Sequence, residues 1–250
     1  MTITPTMPTT SPASVLARQG AIGARALSTG GHDDFNQGQI SCRRPGSDHF
    51  IIKGALVGFD EAVLGDFVPA VVEAGAPADR LAPPELPLHQ AIYSARDDVG
   101  AIVHSHSPSA LVFGALTDTP LVPLSHEGAL LADQVRYFRD TSNTVLGIDT
   151  GNAIARDLGD GVAVFLVNHG SVIVGRSVRH AVVFALMLER ACSLQLAALA
   201  SGRGFSQSHA QDVADKRDYI FSDLSVRSYW DYTRRRVARL FPESTEWAQP

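Results

Sequence analysis

Residues 162–167, Val-Ala-Val-Phe-Leu-Val, make an apolar run too short for a buried helix and rich in β-branched side chains. Such a run predicts a strand. Residues 101–106 open in the same way, with Ala-Ile-Val before His-Ser-His, and predict a second strand. Further strands are expected at 39–43 and 49–52 around a Pro45-Gly46-Ser47 turn, and at 67–73, 121–124 and 172–174. Helical patterns lie between and beyond them, at 13–27, 85–96, 109–116, 152–158 and 177–200, the last stopped by Gly202, with a charged helical tail over 211–240. Pro87 is tolerated in the first turn of its helix. Residues 28–38, rich in Gly, Asp and Asn, read as a loop, and 1–12, small, polar and Pro-rich, as disordered. Strands and helices mix without a strict βαβ rhythm. That favours a layered α/β sandwich with a mixed or antiparallel sheet over a doubly wound one. The expectation is one domain over 13–250 whose helical tail begins near residue 206.

Composition narrows the function. The net charge of −5 argues against a nucleic-acid partner, which calls for a positive footprint. Two cysteines, Cys42 and Cys192, make no disulfide framework and fit a reducing cytoplasmic setting. The first positive charge is Arg18, so no signal peptide is expected. The apolar stretch 181–188 is flanked by charges and falls short of the roughly 18 residues a membrane span needs.

The chemistry concentrates in histidines. In a strand, residues i and i+2 share a face, so His104 and His106 can converge on one point at a strand end. The pair alone fits either a metal site or two hydrogen-bonded histidines. His169, after the apolar run and before Gly170, is placed to reach a neighbouring strand's site, or to bond its own turn. Three neutral imidazoles with an open fourth position suit catalytic Zn²⁺, and Mn²⁺ as well. Glu85 opens the helix that leads into the His104 strand. It is either a helix-dipole partner or a carboxyl beside the metal, a ligand or acid/base group. His89, four residues on, reads as a packing residue.

The spaced set Glu85, Leu88-His89-Gln90-Ala91-Ile92-Tyr93, Ala101-Ile102-Val103-His104-Ser105-His106-Ser107-Pro108 and Asn168-His169-Gly170, with Gly175 beyond, resembles the class II aldolase/adducin family over roughly residues 15–205. The resemblance implies a three-layer α/β/α sandwich with a central mixed, largely antiparallel sheet. It implies metal ligation by His104, His106 and His169, an acid/base role for Glu85, and a C4 homotetramer with active sites between subunits. The family's Gly-Asn-hydrophobic-Ser motif stands here as Gly38-Gln39-Ile40-Ser41, which marks Gln39 and Ser41 as substrate-binding candidates. Where fuculose-phosphate aldolase has a phosphate-holding Ser-Ser pair, this chain has Pro83-Pro84, without hydroxyl or N–H. The Thr-Gly pair that meets phosphate there is Lys53-Gly54 here, and Lys53 suits a carboxylate as well as a phosphate.

Three further stretches resemble a decarboxylase branch that includes 3-hydroxy-2-methylpyridine-4,5-dicarboxylate 4-decarboxylase and 3,4-dihydroxyphthalate decarboxylase. They are Pro123-Leu124-Ser125-His126-Glu127-Gly128, Tyr137-Phe138-Arg139-Asp140 and Val172-Ile173-Val174-Gly175. His126 joins the substrate-binding candidates, as does Arg234 of the Arg234-Arg235-Arg236 run, either a solvated face or a clamp for carboxylates in a neighbouring subunit. The expected function is decarboxylation of a hydroxylated aromatic dicarboxylate such as 3,4-dihydroxyphthalate, with one divalent ion per subunit and a Glu85 pKa raised by burial. The alternatives are a sugar-phosphate aldolase or epimerase and a non-catalytic adducin-like interaction module.

Overall fold

A computed structural model describes residues 11–248 of the chain. Most of the segment expected to be disordered lies outside the described residues. Its last two members do not fit that expectation. Ser11 caps a helix by accepting from the Ser14 N–H at 3.1 Å, and Pro12 opens it, because proline's fixed φ and missing N–H suit a first turn.

Seven strands form one sheet in the order β3-β2-β1-β4-β7-β6-β5. They are β1 Gln39–Arg43, β2 His49–Lys53, β3 Phe67–Val71, β4 Ala101–Ser105, β5 Val135–Phe138, β6 Ala163–Leu166 and β7 Gly170–Gly175. All neighbours are antiparallel except β5 and β6, so the sheet is mixed and largely antiparallel. Pro69 in the edge strand β3 is exposed, where a missing N–H breaks no ladder.

Helices cover both faces. On one face α1 Pro12–Leu27, α3 Pro108–Ala115, α6 Val178–Ala200 and α8 Asp223–Leu240 pack with Ile40, Val103, Phe165 and Ile173 into an apolar cluster. On the other, α2 Leu86–Ala95 and α5 Ile148–Leu158 enclose Ile52, Ile102, Val164 and Val172. The alternation along each strand produces this split: Ile102 and Val103 point to opposite layers. By length and composition α6 could cross a membrane. Its Val178, Ala181, Val182, Ala185 and Leu188 are instead buried in the first cluster, which makes it a core helix.

Two expected elements differ. Residues 121–124 form no strand. Pro123 cannot donate to a ladder, and the Val122 N–H goes to the Gln195 Oε1 at 2.9 Å. The chain continues into α4 His126–Leu131 and then β5, neither of which shows in the apolar pattern. The helical tail is interrupted between α7 Ala210–Ile220 and α8, because Ser222 turns its hydroxyl to the Ser225 N–H and starts a new helix.

Candidate metal centre

The sheet places the site at the end of β4. His104 pairs in register with Gln39 of β1 and Val172 of β7, so His104 and Gln39 project together toward the layer of α2. Glu85 occupies the N-cap of α2 and is buried. His106 lies one residue beyond the strand, so strand alternation does not position it. His169 sits in the tight connection between β6 and β7, where Asn168 takes a left-handed φ of 62°. Gly170 lets this hairpin close on β4: a Cβ there would stand 2.6 Å from the Ser105 carbonyl oxygen and 2.7 Å from the His106 ring.

The three rings surround one point. Their centroids are 5.1 Å apart for His104 and His106, 5.0 Å for His104 and His169, and 5.3 Å for His106 and His169. One ring nitrogen from each lies within 4.8 Å of the other two. Second partners fix two tautomers. The His104 Nδ1–H donates to the Ser171 carbonyl at 3.0 Å, and the His106 Nδ1–H to the Asp34 carboxylate at 2.8 Å. Neither acceptor offers a proton, so each Nδ1 is the donor and Nε2 is the atom left to face the centre. Both Nε2 atoms are buried with no hydrogen-bond partner. The His104 Nε2 also faces Glu85 Oε2 at 3.1 Å, and the His169 Nε2 faces Oε1 at 3.5 Å. Such contacts hold only with a positive charge, a proton or a metal ion, between nitrogen and oxygen. This donor set fits a divalent metal ion.

Electrostatics agree with that fit. Burial, reinforced by the neighbouring His104 ring, pushes the His169 ring down to about 4, and burial also lowers His106. Both imidazoles are therefore neutral, as ligands must be. Glu85 departs from expectation. Burial does push its pKa up, but the His104 contact, the Val145 N–H at 3.0 Å and the His169 ring outweigh burial and hold it well below the usual carboxylate range. Gln39 adds an amide donor to Oε2 at 3.3 Å. Glu85 is thus a resting carboxylate, not a stored acid.

The structure brings Glu85, Gln39, His104, His106 and His169 together and leaves the other candidates apart. Ser41 is fully buried and bonds the His89 Nδ1 at 2.8 Å and the Tyr93 hydroxyl at 2.9 Å, which ties β1 to α2. The expected packing role of His89 stands. Lys53 does not face an anion: its ammonium is buried and donates to the carbonyls of Gly54 at 3.0 Å, Asn36 at 3.4 Å and Val57. The Gly54 N–H is taken by the Asp66 carbonyl at 2.8 Å. His126 is exposed at the start of α4, and Arg234 lies on α8, 3.8 Å from Asp231. Asp34 and the Val145 N–H are contacts of this cluster that the sequence pattern does not mark. The only hint of Asp34 is the run His32-Asp33-Asp34 in a predicted loop.

Residues 21–196 match the Class II Aldolase and Adducin N-terminal domain family. The chain belongs to this family. Membership carries metal-dependent chemistry of the lyase or aldolase type. A putative aldolase class 2 protein from Caulobacter vibrioides is 29% identical over 226 residues, 87% of each chain. The decarboxylase NovR from Streptomyces niveus is 34% identical over 116 residues, 46% of this chain and 43% of that protein. An aldolase II superfamily protein from Pseudomonas syringae has a solved structure that matches with a TM-score of 0.80 at 25% identity, covering 92% of this chain and 95% of that one.

Proposed function

We propose that this chain is a divalent-metal lyase that decarboxylates a hydroxylated aromatic dicarboxylate, 3,4-dihydroxyphthalate being the representative substrate. The observation that carries the reading is the meeting of three histidine rings, two of them with a buried Nε2 that has no hydrogen-bond partner, with one buried carboxylate. His104, His106 and His169 hold the ion, Zn²⁺ or Mn²⁺, which when bound supplies Lewis-acid stabilisation of oxygen charge.

Glu85 does the proton work. As a carboxylate it accepts the proton of the substrate's phenolic hydroxyl, then delivers it to the ring carbon that bears the departing carboxylate. The carbon–carbon bond breaks, its electrons return to the ring, CO₂ leaves, and water reprotonates the phenolate. The Val145 N–H and the Gln39 amide hold Glu85 in place through both transfers. The resemblance to NovR supports decarboxylation. So does the chemistry around Glu85: Pro83 and Pro84 offer no N–H, and Lys53 spends its hydrogens on carbonyls, so neither provides a phosphate grip. The enzyme works as a cytoplasmic homotetramer, residues 13–250 forming one domain per subunit.

Metal-loaded protein incubated with 3,4-dihydroxyphthalate is expected to release CO₂. Silence with this and related hydroxy-dicarboxylates, together with cleavage of a ketose phosphate, would transfer the protein to the sugar-phosphate aldolases. Absence of any bound ion would favour the non-catalytic interaction module.

A further inference from the structure

The geometry points to Asp34 as the positioning residue for His106, the group that sets the tautomer of that ring and aims its Nε2 at the ion. This rests on the reading of His104, His106 and His169 as metal ligands. The need for such a residue follows from where the two neighbouring histidines sit. His104 is inside β4, clamped by strands on both sides, and its Nδ1–H meets the Ser171 carbonyl. His106 is past the strand end and has no ladder partner. The bond from its Nδ1 to Asp34 Oδ2, at 2.8 Å, takes the place of the ladder. A carboxylate on Nδ1–H also makes Nε2 more basic than a carbonyl would.

The loop that carries Asp34 is braced. Gly31 takes a φ of 90°, open to glycine, and turns the chain after α1. His32 is then buried, with Nδ1 2.7 Å from the Ser105 hydroxyl. One loop therefore holds two consecutive residues of the His-Ser-His motif: His32 grips Ser105 from the α1 side, and Asp34 grips His106. Beyond them the Gln37 N–H bonds the Asp34 carbonyl at 3.0 Å, and Lys53 bonds the Asn36 carbonyl. Asp33, the adjacent carboxylate, makes no bond to any of the three histidines.

The test is a competition titration of the full chain with Co²⁺ or Zn²⁺ against a chromophoric chelator, together with the visible spectrum of the Co²⁺ form. Asp34→Ala is expected to weaken ion affinity by about 10- to 100-fold and to alter the Co²⁺ bands. Asp34→Asn, isosteric and still an acceptor, is expected to lose less. Asp33→Asn removes the same charge from the same loop and is expected to stay within about twofold of wild type. Unchanged thermal midpoints in Asp34→Asn and Asp33→Asn keep the comparison free of folding effects. Wild-type affinity in Asp34→Ala would overturn the proposal alone. So would equal losses in the Asp33 and Asp34 variants, which would reveal only a general field. A wild-type protein that takes up no ion would remove the metal reading itself, and the proposal with it.

Discussion

On the α1/α6 side of the sheet, Ile40, Val103, Phe165 and Ile173 pack into an apolar cluster, and the polar Ser105 is bonded to His32. On the α2/α5 side, the same strands present Ile102, Val164 and Val172 along with Gln39, Ser41 and His104. The two layers differ in how they satisfy what they bury. The first relies mainly on close packing, in which each lost methylene is felt. The second carries a polar line in which Ser41 bonds both His89 and Tyr93, while the Nε2 atoms of His89, His104 and His106 are buried without a hydrogen-bond partner. Both layers are closed by apolar packing, and the buried polar groups of the candidate site gather at one end of the second.

The sharpest way to break this contrast is Glu85→Gln. The amide still accepts from the Val145 N–H, so the melting temperature should hold, while kcat falls by about 10²- to 10⁴-fold, the usual worth of a positioned acid/base. A drop under tenfold in steady-state assays would show that the polar end is not the reacting centre. On the other face, Phe165→Ala should cost about 3–5 kcal/mol in urea unfolding. Phe165 is fully buried between Phe113 and Tyr137, with ring centroids 5.9 and 5.2 Å away. A cost below about 1 kcal/mol would mean that this layer relaxes freely.

A third test concerns pH and involves both layers. Burial pushes His32 down to about 4 and His89 down to about 3. Their folded pKa values lie below the unfolded value of 6.5, so the unfolded chain takes up the proton first. Their contribution is fully present above pH 6.5 and is lost as pH falls toward the folded values. The slope is about 1.4 kcal/mol per pH unit for each ring. Urea midpoints of chelator-treated protein should therefore fall between pH 6.5 and 4.5, and a flat profile would show that these rings are not held neutral.

Sequence pattern reached as far as local physics extends. The β1–β2 hairpin was readable because Pro45-Gly46 admits little but a turn, and the His-x-His pair because strand ends open to ligands. Gln39 was marked by the family's motif. Residues 121–124 carry the apolar content of a strand, but Pro123 inside them has no N–H for a ladder. Asp34 and the Val145 N–H were hidden for another reason: each sits on an irregular loop whose path is decided by distant contacts, such as Lys53 on Asn36. The low pKa of Glu85 was hidden too. Burial alone pushes it upward, and only the assembled neighbours reverse the sign.

Gly170 carries one more consequence. Because its bare backbone rests against Ser105 and His106, the third imidazole arrives only when the β6–β7 hairpin has docked on β4. A fragment ending before that hairpin holds two of the three nitrogens and makes a poor chelator. Ion uptake during refolding would then report the moment of strand docking, and a bound cation would mark the stage of assembly.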